Sequence, residues 1–237
     1  MKTTAGLAAT LLLALSAATV AEPLTFGMFE SNPSRRDKFE RHFVIGEPLQ
    51  AFEVGKKRVV LPPGNWLISE VETEAPDVTE EGSSTVVSET ADAWLSVQDV
   101  ESGDLIAFNT SLSPFNAHVS FTQLIGACQK DHQQQEKGWV TVARQQDSLR
   151  EDRQSCVRIS ARLERARSGE TYLQLRTATL ESWKADYLTV DRLHKVPAAA
   201  KDDLQQLLQQ PAIRSYVDEQ LRWGSQVKGD IARQMGW

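Results

Sequence analysis

The sequence predicts an α+β fold, in which an antiparallel sheet fills the N-terminal three quarters and C-terminal helices pack on it. Up to about residue 180, apolar side chains recur at every second position in short runs separated by turn residues, which is typical of half-buried strands. From about residue 196 they recur at helical spacing. A run of strands followed by a run of helices is the pattern of α+β domains with an antiparallel sheet.

The first 21 residues have the features of a secretory signal peptide. Lys2 gives a positive start, and residues 5–18 form an apolar run too short for a comfortable permanent span. Thr19 and Ala21 fit the small-residue positions of a cleavage site. We therefore expect cleavage near Ala21 and a periplasmic or secreted protein. The alternative is that the leader stays as an anchoring helix.

The mature chain, residues 22–237, is expected to form a single α+β domain, mainly β over 22–180 and helical over 196–237. Removing the leader, with Lys2 and no acidic residue, changes the formal net charge from −6 to −7. This acidic balance argues against nucleic acid as a partner, since general binding requires a Lys/Arg excess. No second run of transmembrane length is present in the mature sequence.

The N-terminal half predicts one helical turn and six strands. The charged segment SRRDKFER predicts a helical turn over Arg35–His42, and the acidic stretch Glu70–Ser84 predicts a solvated loop. Pro62-Pro63-Gly64-Asn65 has proline and glycine where a type II turn requires them. The predicted strands are Leu49–Val54, Lys57–Leu61, Trp66–Val71, Thr85–Ser88, Ala93–Val100 and Leu105–Asn109.

The C-terminal half continues with strands and then changes period. Strict alternation predicts strands over 115–121 and 157–163, and a Ser-Gly turn leads from the second of these into Thr171–Leu180. The polar residues 143–154 fit a short helix or a long loop. Pro197 predicts a first helical turn, and a second helix opens at Pro211. Gly224 predicts a bend in that second helix.

Cys128 and Cys156 are the two cysteines of the chain. In an exported protein an isolated pair predicts a disulfide, which would stabilise the fold by roughly 3–4 kcal/mol in the chain-entropy model. The alternative is a redox-active pair, but such pairs usually have C-x-x-C spacing.

Arginines and tryptophans supply the candidate binding residues. Seven arginines lie between Arg144 and Arg167, and Arg158 and Arg162 are expected on the outer face of one strand. Their guanidinium groups could hold an anionic envelope ligand or an acidic protein partner, whereas the alternative is a solvated face balanced by acids. Trp183 and Trp223 are candidate aromatic anchors, with core packing as the alternative.

Signatures of catalysis are missing from the sequence. The four histidines show no H-E-x-x-H spacing, so no metal site is predicted, and neither a P-loop nor a G-x-G-x-x-G motif indicates a nucleotide cofactor. No G-x-S-x-G elbow marks a nucleophile. An active site assembled from distant residues would leave no local trace, so an envelope hydrolase stays open as an alternative.

The stretch Val59-Val60-Leu61-Pro62-Pro63-Gly64-Asn65-Trp66 resembles a strand–turn–strand motif, LPPG-x-W, of uncharacterised exported proteins of Gram-negative bacteria. Asn65 stands where an acidic residue is more usual. The resemblance covers eight residues, implies a location in the envelope, and carries no activity. The sequence therefore predicts an exported protein, most simply a non-catalytic one that binds a ligand or a partner.

Overall fold

A computed structural model describes residues 22–75, 78–81, 84–87, 91–113, 138–150, 153–166, 168–183, 186–199 and 201–236. Its helices are α1 (Asn32–His42), α2 (Leu204–Leu208) and α3 (Pro211–Gln234). Its strands are β1 (Ala51–Val54), β2 (Lys57–Val60), β3 (Trp66–Glu74), β4 (Val78–Glu81), β5 (Ser84–Val87), β6 (Asp92–Asp99), β7 (Leu105–Ser111), β8 (Val140–Arg150), β9 (Arg153–Arg165), β10 (Thr171–Trp183) and β11 (Asp186–Ala198).

Seven strands form an antiparallel sheet in the order β3-β6-β7-β11-β10-β9-β8. β8 to β11 are consecutive neighbours, while β7 pairs with β11 across a long sequence separation. That pairing sets Leu105 opposite Leu193. Two further hairpins, β1-β2 and β4-β5, form separate two-stranded sheets.

The core lies between one face of the seven-stranded sheet and the elements that cover it. At one end, Leu95 and Phe108 of the sheet pack with Phe39 of α1, Phe52 of β1 and Ile231 of α3. The rings of Phe52 and Phe108 stack with their centroids 4.5 Å apart. The β1-β2 hairpin and both helices are therefore held on the sheet mainly by buried apolar surface.

A second apolar cluster covers the other end of the same sheet face. Ile159 and Leu175 of the sheet pack with Leu207 of α2 and with Ile213 and Val217 of α3. The predicted packing of C-terminal helices on an antiparallel sheet is therefore confirmed.

Gly224 is the point of closest approach between α3 and the sheet. A Cβ atom there would lie 2.7 Å from Cγ1 of Val157 and 2.8 Å from Oγ1 of Thr179. The sequence predicts a bend at this residue, whereas the structure shows a packing contact that a larger side chain would obstruct.

Several predicted elements differ from the structure. Within residues 143–154, expected as a short helix or a long loop, 143–150 belong to β8 and 153–154 begin β9. β8 is an edge strand, whose exposed positions make its sequence read as polar. The predicted acidic loop is wrong in part, because β3 continues to Glu74 and β4 follows it. The predicted strand over 115–121 lies outside the described residues.

Pro197 marks a further correction, because it lies in β11 and not in a helical turn. The pairing of β11 with β7 ends at Leu193, so no ladder partner on that side requires an N–H from Pro197. The sequence assigns no element to 186–195, since charged residues interrupt its apolar alternation.

Candidate functional site

A groove of about 290 Å³ lies between β2, the turn that follows it and α3. The strand side is formed by residues 58–63, and Arg192 of β11 also lines the groove. The helix side is formed by Glu219, Gln220, Trp223, Gln226, Val227 and Asp230. Six of the thirteen lining residues are polar or charged, and the Trp223 ring, two prolines and four aliphatic side chains form the rest. A concave surface with both kinds of group is a candidate ligand site.

The turn beside the groove is held rigidly. Nε1 of Trp66 donates to the carbonyl of Pro62 at 2.8 Å, and the N–H of Asn65 donates to Oδ2 of Asp99 at 2.7 Å. A Cβ atom at Gly64 would lie 2.6 Å from that carboxylate oxygen and 2.7 Å from Nε1 of Trp66, so this position requires glycine. The LPPG-x-W motif of the sequence is therefore a fixed wall of the groove.

A buried polar cluster, which we call the Asp104 network, adjoins the groove. It consists of Asp104, Arg192, His194, Tyr216 and Gln220. Arg192 donates to Oδ2 of Asp104 from Nη2 at 2.8 Å and from Nε at 3.2 Å. Nδ1 of His194 lies 2.5 Å from the other carboxylate oxygen. The rings of His194 and Tyr216 stack at 4.4 Å, and Oε1 of Gln220 accepts from Arg192 at 3.5 Å.

The fold assembles this network from three elements. Arg192 and His194 lie two residues apart on β11 and share the face that α3 covers. The pairing of β7 with β11 brings Asp104, the residue before β7, beside them. Tyr216 and Gln220 lie one turn apart on α3, so both point at the same place on the sheet.

Opposing effects set the charge of Asp104. Burial by itself would raise the pKa of this carboxyl, but hydrogen bonds from His194 and Arg192 and their positive charges outweigh burial and hold the pKa below its ordinary value. Burial also raises the pKa of Tyr216. The Tyr216 hydroxyl has no hydrogen-bond partner among the described residues.

The pair of Asp104 and His194 resembles the orienting half of a hydrolase triad, since Nδ1 faces the carboxylate and Nε2 is left for a substrate. In the part of the chain that the structure describes, no hydroxyl or thiol hydrogen-bonds to His194. Arg192 shares the same carboxylate and also lines the groove. The geometry therefore best fits a structural role, in which the Asp104 carboxylate holds the Arg192 guanidinium in place at the groove.

A second buried cluster, the Lys57 network, joins β2 to β7 and β11. Nζ of Lys57 donates to Oδ1 of Asp186 at 2.5 Å and to the Ser111 carbonyl at 2.8 Å. Oγ of Ser111 donates to the same carboxylate oxygen at 2.7 Å. Lys57 and Ser111 are 1% and 0% exposed, so no substrate can reach the serine hydroxyl. This cluster is therefore a structural one.

The predicted arginine pair lies away from the groove. Arg158 and Arg162 share one face of β9, opposite to the face that α3 covers. The expected solvated position is wrong for Arg158, which is 7% exposed. Nε of Arg162 donates to Oε1 of Gln174 at 2.6 Å, and its guanidinium lies 4.6 Å from the Trp139 ring and 3.7 Å from a Glu164 oxygen.

The other predicted site residues have different outcomes. Trp223 lines the groove and packs in part against the core, and its role as an aromatic anchor stays a prediction. Trp183 ends β10, and its side chain lies outside what the structure describes. Cys156 is buried on β9, whereas Cys128 lies outside the described residues, so the disulfide stays a prediction.

The described residues contain neither a metal-binding cluster nor a membrane-spanning helix. Over the described ranges, no group of three or more His, Cys, Asp or Glu side chains could hold a metal ion. None of the helices in those ranges combines the length and the apolarity that crossing a membrane requires.

Sequence reasoning missed the Asp104 network. Its carboxylate lies 88 and 90 residues from its arginine and histidine partners, so no local spacing indicates the cluster. The available signal was the alternation of Arg192 and His194 with Leu193, which fits one face of a strand.

Comparison of the chain with protein-family models, with curated proteins and with solved structures finds no match. No activity or binding residue can therefore be transferred from a relative. The groove, its rigid turn and the Asp104 network are the features from which a function can be inferred.

Proposed function

We propose that this protein is exported to the cell envelope and binds a ligand, without transforming it, in the groove between β2 and α3. The groove itself is the observation that carries the proposal, because it combines the Trp223 ring with a rigid proline turn and a fixed guanidinium. Preformed walls lower the entropy cost of binding. Two sets of contacts supply this preorganisation: the hydrogen bonds around Gly64 and those around Asp104.

Ligand mapping by two-dimensional NMR tests the proposal. The probes are the N-acetyl amides of leucine, tryptophan and arginine at millimolar concentration. We expect shifts of the Val60 and Leu61 amides and of the Trp223 indole. Shifts confined to other parts of the molecule, or no shifts with any probe, would contradict binding in the groove.

A matched pair of variants checks the location. Gln226 and Gln205 are both exposed helical glutamines, but Gln226 lines the groove and Gln205 lies on α2. Gln226→Trp should fill the groove and abolish the shifts, while Gln205→Trp should leave them unchanged. An equal loss of the probe-induced shifts in both variants would indicate that the probes bind outside the groove.

Export to the periplasm is supported by the leader and by the isolated cysteine pair. N-terminal sequencing of the secreted or periplasmic protein should begin at Glu22. Mass spectrometry of the same material should find Cys128 joined to Cys156. An intact leader with free thiols would overturn this part of the proposal.

The Asp104–His194 pair favours a hydrolase as the second candidate function. In that case His194→Gln would abolish hydrolysis of p-nitrophenyl acetate by the purified protein. The ligand-binding proposal expects the parent and the variant to hydrolyse this ester equally slowly.

A further inference from the structure

We propose that the ligand of the groove is a short extended peptide that pairs with the outer edge of β2 and places a basic side chain against Trp223 and Glu219. This inference rests on the proposed function, because it names the ligand class of the same groove. Peptide addition to a strand edge is a recurring recognition mode, with affinity from main-chain hydrogen bonds and specificity from side-chain pockets.

The pairing of β2 leaves its outer edge directed to the groove. The N–H of Leu61 donates to the carbonyl of Gln50 at 2.9 Å, on the side of β1. Backbone groups alternate along a strand, so those of Arg58 and Val60 point away from β1. Both residues line the groove, and Val60 is 61% exposed.

A side chain of α3 already forms a hydrogen bond with one backbone N–H of this outer edge. Oε1 of Gln234, the last residue of α3, accepts the Arg58 N–H at 2.7 Å. The side-chain carbonyl therefore occupies the place that a backbone carbonyl of an added strand would take. The next outward N–H along β2 is that of Val60, a residue that lines the groove.

The edge also limits the length of the ligand. Two residues beyond Val60 stands Pro62, which has no N–H and whose carbonyl accepts from Trp66. Strand pairing therefore ends there, and a bound peptide would form its ladder around Val60 alone. At about 3.3 Å per residue, a segment of about three to five residues spans the edge of β2 between Arg58 and Pro62.

Charge complementarity selects a basic side chain. Each arginine of the groove has a carboxylate partner, Arg58 with Glu53 at 3.4 Å and Arg192 with Asp104 at 2.8 Å. Glu219 is exposed, and within the described residues it forms no ion pair. It lies one helical turn from Trp223, so the carboxylate and the ring can bind the same lysine or arginine side chain.

The test uses a pool of blocked pentapeptides randomised at the three central positions, bound to immobilised protein and read by sequencing. Val60→Pro removes the outward N–H, whereas Val60→Ala keeps it. We expect peptides with a basic residue to be enriched. Their affinity for Val60→Ala should be within about twofold of their affinity for the parent, whereas their affinity for Val60→Pro should be at least about tenfold lower. No enrichment, or equal binding to both variants, would overturn the proposal.

Charge reversal gives a second test that leaves β2 intact. Glu219 and Asp218 are neighbouring exposed residues of α3, and Asp218 does not line the groove. Glu219→Lys should reverse the preference for basic peptides, while Asp218→Lys should preserve it. An unchanged preference in Glu219→Lys would contradict the inference. If the amide probes still bind at Trp223, the groove function stands and the peptide inference alone fails.

Discussion

Two buried ion-pair networks hold β-strands of this protein to their neighbours, but they differ in their access to solvent. In the Lys57 network, the side chains of Lys57 and Asp186 are 1% and 7% exposed. In the Asp104 network, the side chains of Arg192 and His194 are 13% and 25% exposed, and Arg192 lines the groove. The enclosed network serves the fold, whereas the open one also fixes the Arg192 guanidinium at the groove.

Similar chemistry therefore has two roles in this protein. Both networks join a carboxylate to a cation across elements that are distant in sequence. Enclosure makes an uncompensated charge expensive, so we expect the Lys57 network to be the more sensitive to loss of one partner. Partial exposure leaves Arg192 of the Asp104 network on the lining of the groove.

The largest expected effect is that of Lys57→Met. The variant leaves Asp186 as a buried charge without its cation, which costs about 3–5 kcal/mol of unfolding free energy. Urea unfolding followed by circular dichroism measures the loss. The double variant Lys57→Met with Asp186→Leu should regain most of the stability, and a single variant as stable as the parent would contradict the structural role of this network.

Asp104→Asn should have a smaller and pH-dependent effect. The pKa of Asp104 is lower in the folded protein than the ordinary value of about 3.9 expected when unfolded. Its stabilising contribution is therefore complete well above that value and lost as the pH falls through the folded pKa. We expect the parent to exceed Asp104→Asn by about 1.5–3 kcal/mol at pH 7, with the difference narrowing below about pH 4.

Urea unfolding at a series of pH values measures this narrowing. Other acidic groups with lowered pKa values, such as Asp99 and Asp147, affect both proteins equally and cancel in the difference. If the difference in unfolding free energy between the parent and Asp104→Asn stays constant below about pH 4, the charge of Asp104 does not contribute to stability.

Gly224→Ala tests the helix that brings Tyr216 and Gln220 to the Asp104 network. Overpacking against Val157 and Thr179 costs about 1–3 kcal/mol, and the gain in helix propensity returns about 1 kcal/mol of it. We therefore expect a net loss of about 1 kcal/mol in urea unfolding. The matched control is Gly229→Ala in the same helix.

A Cβ atom at Gly229 would meet nothing closer than the flexible end of Arg233 at 3.7 Å. This control should therefore gain up to about 1 kcal/mol from helix propensity. An equal gain in stability by both alanine variants would contradict the close approach of α3 to the sheet at Gly224.

Local periodicity predicted much of the fold, and topology explains most of what it missed. Strands such as Ala93–Val100 and the helix from Pro211 have one apolar face, which the sequence shows directly. The strand at 186–198 was missed because its core-facing positions include Arg192 and His194, whose polarity is balanced by a distant aspartate. The candidate site depends on that same long-range pairing. The sequence could indicate two parts of the groove: the Pro62-Pro63 turn through its motif, and Trp223 as a large aromatic on an amphipathic helix.

The smallest effect on stability is expected for Arg162→Glu. This variant tests whether Arg162, without the buried Arg158, contributes to a site for an anionic ligand. Arg158 is buried, so reversing its charge would disturb the fold and could not report on a surface site. The side chain of Arg162 is 31% exposed, and its loss should change stability by less than about 1 kcal/mol.

If Arg162 contributes to an anion site, Arg162→Glu should bind phosphatidylglycerol vesicles several-fold more weakly than the parent in a sedimentation assay. Arg165→Glu makes the same change in net charge at an exposed position of the same strand, on the other face, and should retain binding. Equal weakening by both variants would assign vesicle binding to net charge. The sheet face opposite α3 would then contain no anion site at Arg162.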